Sequence, residues 1–283
     1  MIKIKSFAKV NLFLKVTRKF KTYHKLYSLI TQIDLFDEIT IKETKSKKSE
    51  FYFFGPYKII SKNNTIENLL RILKINFPKL ENKNFNFYIK KNIPNGSGLG
   101  GASSNAAAVF KYFKKKYKLN ISYKKSLKIL GQVGKDCPLF INNNIKLIDS
   151  TGDKFQEFKN KIKLNLLIIH PNINLSTKKV FNRVSRISKI KYKKNINLSN
   201  KDSLLDLCKF YGNDLMLPAS KLTSKIKNLI KILQEYNESI FYSMTGSGSA
   251  FFVISNSKKS LLNIKKIIKK QNKSYWTTIV NTI

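Results

Sequence analysis

The segment KNIPNGSGLGGASSNAAAVF, residues 91–110, sets Gly96, Gly98, Gly100 and Gly101 within six residues of a chain that has only 11 glycines in 283. Glycines adopt positive φ and let the backbone approach a ligand closely. The helix expected to follow starts with unpaired N–H groups and a partial positive charge, which suits phosphate. Ser103 and Ser104 can cap that helix or offer hydroxyls to an anion, and Ala106, Ala107 and Ala108 let it pack closely. The spacing therefore fits a triphosphate cradle. It is not a Walker A loop, because no Lys-Ser/Thr pair follows the last glycine. Nor is it the dinucleotide fingerprint, which sits on the first strand of a βαβ unit. Taken alone, such a run is equally compatible with a tight structural turn.

Other residues could carry chemistry with it. Asp136 precedes Cys-Pro in GKDCPLF and reads as a helix N-cap. Lys9 and Asn11 fall on one face of an alternating segment, where an exposed strand lysine is the plain reading. His24 and His170 are the only histidines; His170 ends a strand and reads as an ordinary core residue. Thr245, Gly246, Ser247 and Gly248 make a second glycine turn, which in isolation could be a hairpin. Cys137 and Cys208 are too few and too far apart for a disulfide framework or a zinc site, so both read as reduced thiols.

Elements must position these groups. Residues 2–16 alternate as a strand. Residues 25–42 read as one or two further strands broken near Asp34–Asp37, and the polar segment 43–50 as a hairpin loop before FYFF. Asn64 and Glu67 form a capping box for a helix with the stripe Ile66, Leu69, Leu70 and Leu73, closed by Pro78. Phe85, Phe87 and Ile89 alternate into the glycine turn, and Val109, Phe110, Phe113 and Tyr117 define a helix over 103–118. Further helices are expected over 122–131 and from Asp136–Pro138. From residue 160 the expected order is strand (163–170), lysine-rich connection (184–202), helices (202–210, 219–235), strands (239–243, 250–254), helix (258–270) and strand (275–280). That order is compatible with a split βαβ sandwich.

Composition bounds the function. At 42% hydrophobic the chain can bury a core. No apolar run reaches membrane-span length, and the first residues lack the pattern of a signal peptide, so a soluble cytoplasmic protein is expected. The formal net charge of +39 invites a nucleic-acid reading. Against it, all but four of the 55 basic residues (Arg18, Arg71, Arg183, Arg186) are lysine, spread along the whole chain among Asn, Ile, Phe and Tyr. All of these have AT-rich codons, and mutational bias accounts for them; no nucleic-acid partner is expected.

Five blocks, AKVNLFLKV (8–16), YHKLYSLITQIDLFDEI (23–39), IPNGSGLGGASSNAA (93–107), GKDCPLF (134–140) and TGSGSAFF (245–252), occur in order, with a looser sixth, PNINLSTKKVF (171–181). Together they resemble the GHMP sugar-kinase family, whose phosphate loop reads Pro-x3-Gly-Leu-Gly followed by small residues and serines. The resemblance implies an α+β, two-domain GHMP kinase fold. A ribosomal protein S5 domain 2-like N-terminal domain (1–159) would carry ATP, a ferredoxin-like C-terminal domain (160–283) would follow, and the active site would lie in the cleft between them. It implies ATP binding by Pro94, Asn95, Gly96, Ser97, Gly98, Leu99, Gly100, Gly101, Ala102, Ser103 and Ser104. Asp136 would accept the proton of the attacking hydroxyl, and Lys9 would orient it and stabilise charge. The Tyr-His block further implies phosphorylation of the 2-hydroxyl of CDP-methylerythritol in the non-mevalonate route to isoprenoid precursors. Tyr23, His24 and Phe181 would hold the cytosine, with Phe181 as the second face of the stack, and Asn11 and Thr245–Gly248 would complete the substrate site. A homoserine or mevalonate type of kinase would need the loop but not the cytosine set. Mg²⁺ should accompany ATP, with no carboxylate assigned to it and Ser104 as a candidate ligand. The small-molecule substrate needs no membrane, and a monomer or weak homodimer is expected.

The chain departs from the family pattern at Thr22, where glycine is usual, at Ser97 and Ala102 in the loop, and at Lys135. A cation beside Asp136 would weaken it as a base unless the lysine points away. Trp276 and Cys137 receive no role.

Overall fold

Alternation makes the first two strands long. β1 (Ile2–Lys19) buries Ala8, Val10, Leu12, Leu14 and Val16 on one face, and β2 (His24–Thr44) runs unbroken for 21 residues. The expected break near Asp34–Asp37 does not occur, because both carboxylates find partners distant in sequence. Asp37 accepts from Asn92 N and Ile93 N at 2.8 and 2.9 Å, and Asp34 accepts from Asn281 N and Nδ2 at 2.7 and 2.9 Å. The computed structural model describes the chain except residues 21–23, 58–63, 151–153, 160–161, 186, 188–195, 197, 199, 237–239 and 256. The connection expected over 184–202 lies largely outside the described residues.

Two compact units share the chain. One comprises Met1–Ala8, Leu35–Asn95 and Gly100–Asn143, the other Lys9–Asp34, Gly96–Leu99 and Asn144–Ile283. β1, β2 and the glycine loop therefore each contribute to both.

In the first unit, β3 (Glu50–Phe54) is followed by α1 (Thr65–Asn76), α2 (Pro78–Glu81), β4 (Asn84–Lys90), α3 (Gly101–Lys116), α4 (Tyr123–Val133) and a 3-10 turn, Cys137–Phe140. The Asn64 side chain caps α1 through Glu67 N, and Ile66, Leu69, Leu70 and Leu73 are its buried stripe. β4 pairs antiparallel with the second half of β2, from Glu38↔Lys90 to Thr44↔Asn84. β3 pairs parallel with β4, so residues 43–50 are not a hairpin loop: the chain crosses past β4 to reach its far edge. Phe85 and Phe113 stack the strand on the helix, with ring centroids 4.8 Å apart. Burying each such ring contributes roughly 1.5–3 kcal/mol.

In the second unit, β5 (Ile145–Ser150) and β6 (Phe155–Phe158) form an antiparallel pair, with β5 on the first half of β2. The sequence reading missed both; they are short and interrupted by polar residues. β7 (Asn165–His170), α5 (Thr177–Asn182), α6 (Lys201–Tyr211), α7 (Met216–Ser220), α8 (Ser224–Gln234), β8 (Ile240–Met244), β9 (Phe251–Ser255), α9 (Lys258–Gln271) and β10 (Trp276–Asn281) complete it. The single helix expected over 219–235 is two, α7 and α8. The four strands pair antiparallel in the order β10-β7-β9-β8, the split βαβ sandwich anticipated from the element order. Its core joins Leu167, Ile169, Phe251 and Val253 to Leu229, Leu233, Ile264 and Ile268. Among the described residues no helix is long and apolar enough to cross a membrane.

Candidate active site

Lys9 is not an exposed strand lysine. It is 4% exposed, and its ammonium donates to Asn11 Oδ1 at 2.5 Å and to the Gly98 carbonyl at 2.6 Å. Its backbone N–H donates to Leu99 O at 2.9 Å, so one residue of β1 holds the glycine loop at two points. Asn11 is 5% exposed and is fixed from both sides: its Nδ2 donates to Ser28 Oγ at 2.9 Å, and its backbone N–H to Thr245 Oγ1 at 3.0 Å. Thr245 is fully buried, and Ala250 N donates to Ser97 O at 3.0 Å. The two glycine turns and the candidate lysine are thus one cluster, built by residues 9–11, 97–99 and 245–250. A buried ammonium facing carbonyl oxygens is a strong local positive source, because low dielectric magnifies its field. Such a source favours phosphate nearby.

Glycine is required at Gly98, where φ is +79° and a Cβ would collide with the Thr245 carbonyl oxygen and stand 3.1 Å from that of Gly248. Gly98→Ala should therefore push the two turns apart, lowering kcat/KM at least about tenfold with a melting temperature several degrees lower. Steady-state kinetics and a thermal melt check both.

Beyond Leu99 the loop enters the first unit. Gly100 is the N-cap of α3, in the left-handed region at φ +75°, and offers no side-chain cap. A helix start without a side-chain cap is the kind of terminus that suits an anion. The helix starts two residues earlier than expected, so Ser103 and Ser104 lie inside its first turn and do not cap it. Ser104 is buried, its hydroxyl hydrogen-bonded with Ser6 Oγ and donating to Gly101 O at 3.3 Å. Asn95 Nδ2 donates to Tyr57 O at 2.9 Å, Pro94 is buried, and Ala102 O accepts from Thr65 Oγ1 at 2.7 Å.

Asp136 stands at the cap position of the 3-10 turn but makes no side-chain capping bond, so the structural reading of this residue fails. It is exposed, as is Lys135. Next to it Cys137 is fully buried, and burial pushes its thiol up to about 11 despite a hydrogen bond from Ser103.

Tyr23 and Thr22 lie outside the described residues. His24 and Phe181 come together, ring centroids 4.7 Å apart and tilted by 33°. Phe181 therefore packs on the imidazole. Burial, with the Lys19 charge adding to it, lowers the His24 pKa below the ordinary histidine value. Its Nε2 is shielded from solvent and has no hydrogen-bond partner. A neutral ring with one unused nitrogen is suited to the edge of a base.

The model for the GHMP kinases N terminal domain matches residues 64–142, and that for the GHMP kinases C terminal domain matches residues 194–274, together more than half of the chain. The chain belongs to the GHMP kinase family. This GHMP kinase is 36% identical over 284 residues to the 4-diphosphocytidyl-2-C-methyl-D-erythritol kinase of Pelagibacter ubique, covering 99% of each chain. It is 32% identical to the enzyme of that name from Buchnera aphidicola, covering 97% of this chain and 93% of the other. Its fold is similar to a crystal structure of 4-(cytidine 5'-diphospho)-2C-methyl-D-erythritol kinase, with a TM-score of 0.77, 22% identity and 99% of both chains covered. The α+β two-domain GHMP kinase fold and ATP-dependent kinase activity expected from the sequence are thereby established.

Two features of this GHMP kinase escaped sequence reasoning. Asp37 and Lys91 form an ion pair in which both side chains are at most 1% exposed, while Asp37 also takes the N–H groups of Asn92 and Ile93 just before Pro94. Asn213 donates to the carbonyls of Met244 and Gly246, on either side of Thr245. Both pairings span more than fifty residues or cross elements, and no local pattern announces them.

Proposed function

We propose that this kinase transfers the γ-phosphoryl group of ATP to the 2-hydroxyl of CDP-methylerythritol, in the non-mevalonate route to isoprenoid precursors. The observation that carries this reading is the full-length relationship to kinases named for that substrate. Asp136 takes the proton of the attacking hydroxyl, consistent with an exposed carboxylate not consumed in capping. Lys9 supplies positive charge where the phosphoryl oxygens gather, and the loop 94–104 with the start of α3 offers backbone N–H groups to ATP. His24, oriented by Phe181, reads the edge of cytosine beside Tyr23, while Asn11 and Thr245–Gly248 hold the rest of the substrate.

Among the described residues no group of three His, Cys, Asp or Glu could hold a metal ion. A cage for resident Mg²⁺ does not fit these residues. Mg²⁺ arriving on ATP would keep phosphate and water oxygens as ligands. The functional division is proposed at 1–159 and 160–283, since one family match falls in each. The enzyme would act in the cytoplasm, where Cys137 and Cys208 stay reduced, as a monomer or weak homodimer.

A coupled assay with CDP-methylerythritol, homoserine and mevalonate tests the reading. Turnover is expected with the first alone; preference for either of the others would overturn it. His24→Ala should raise the KM for CDP-methylerythritol about tenfold and leave the KM for ATP within twofold, the loss of one hydrogen bond to the base.

A further inference from the structure

Gly212, Asn213 and Asp214 link β1 to the second glycine turn. Leu14 N donates to Gly212 O at 2.8 Å and Asp214 N donates to Leu14 O at 2.9 Å, so this segment is pinned to β1 three residues beyond Asn11. The Asp214 carboxylate adds bonds from Val16 N at 2.8 Å and Lys15 Nζ at 2.5 Å. From this fixed base the Asn213 amide reaches the turn. Nδ2 donates to Met244 O at 2.5 Å and to Gly246 O at 3.0 Å, while Oδ1 accepts from Leu215 N at 2.8 Å.

The carbonyl held at Gly246 matters because of what lies beside that residue. A Cβ on Gly246 would stand 3.4 Å from Asn11 Oδ1 and 3.5 Å from both Lys9 Nζ and Gly98 O. Gly246 is in the left-handed region, with φ +57°, where a peptide can flip at little steric cost unless its carbonyl is tied. Asn213 supplies the tie. It draws the carbonyls of residues 244 and 246 to one side, and the turn keeps its distance from the Lys9 ammonium.

We propose that Asn213 is a positioning residue for phosphoryl transfer: it fixes the turn 245–248 against Lys9, and so the side of the site that receives the alcohol substrate. This rests on the assignment of that turn to the substrate in the reading above. Asn213 need not touch substrate itself.

The test compares Asn213→Asp with the wild-type enzyme. The carboxylate keeps the acceptor for Leu215 N–H but replaces the one amide nitrogen, which donates to both carbonyls, by an oxygen that faces them. The expected result is a KM for the alcohol raised, or a kcat lowered, by about ten- to a hundredfold, with the KM for ATP within threefold and the melting temperature within a few degrees. Asn213→Ser, which can still accept from Leu215 N but cannot span to the turn, should show the same split more weakly. Equal rises in both KM values, wild-type kinetics in both variants, or failure of both to fold would each overturn the proposal. The kinetics are read with whichever alcohol the wild-type enzyme phosphorylates. A wrong substrate assignment thus appears as a different preferred alcohol, and a wrong role for Asn213 as a missing split.

Discussion

Asp136→Asn should lower kcat by about 10²- to 10⁴-fold while changing the KM for ATP and the melting temperature little. The amide keeps the size of the carboxylate but cannot take the hydroxyl proton. The stability half of this expectation is what separates a base from a cap. Were Asp136 capping the 3-10 turn, Asp136→Ala would cost about 1 kcal/mol; the carboxylate makes no such bond, so alanine too should melt like the wild type. Loss of turnover in two variants with unchanged melting curves is therefore the expected signature. An Asp136→Asn enzyme retaining wild-type kcat would move the base to another residue.

Asp37→Ala should be the most destabilising single change in the first unit. It strands the Lys91 ammonium in a site 1% exposed and leaves the N–H groups of Asn92 and Ile93 without their acceptor. Breaking a buried pair from one side costs about 3–5 kcal/mol, which corresponds to a fall in melting temperature on the order of 10 °C. Asp37→Asn keeps an acceptor for the backbone and should lose less. Removing both charges, as Asp37→Asn with Lys91→Met, should recover much of the difference, because the unpaired buried cation is then gone. Since residues 92 and 93 lead directly into Pro94, the single variant should also raise the KM for ATP. A thermal melt of the three variants, with ATP titrations, checks the ranking; an Asp37→Ala protein as stable as the wild type would refute it.

What could be read from the sequence was whatever a short window contains. The cap and stripe of α1, the alternation of β4, and the strand-helix-strand-strand-helix-strand order of the second unit all follow from local periodicity, and the structure has each of them. Alternation also put Lys9 and Asn11 on one face, which is how they come to meet Gly98 and Thr245. Burial of that lysine could not be inferred, because one of its two acceptors lies 89 positions away at Gly98. The same limit explains β2. Charged residues at 34 and 37 look like a break until their partners, Asn281 and Lys91, are known. The connection over 43–50 escapes for a related reason: a polar loop before a strand suggests a hairpin, whereas the parallel pairing of β3 depends on where β4 lies. Asn213 has no local signature, since its task is to hold two carbonyls thirty residues on.

The bond from Asn11 N to Thr245 Oγ1 joins positions 234 residues apart. A contact of that separation closes a long loop, whose entropy must be met before the bond rewards it. On a ribosome β1 is made long before the turn at 245–250, and the environment that buries Lys9 is finished only when that turn has been made. A chain cut short before that turn would keep the glycine loop and Asp136 but lack the clasp on its lysine. Such copies would then be idle rather than partly active, and the order of synthesis itself withholds activity until that turn exists.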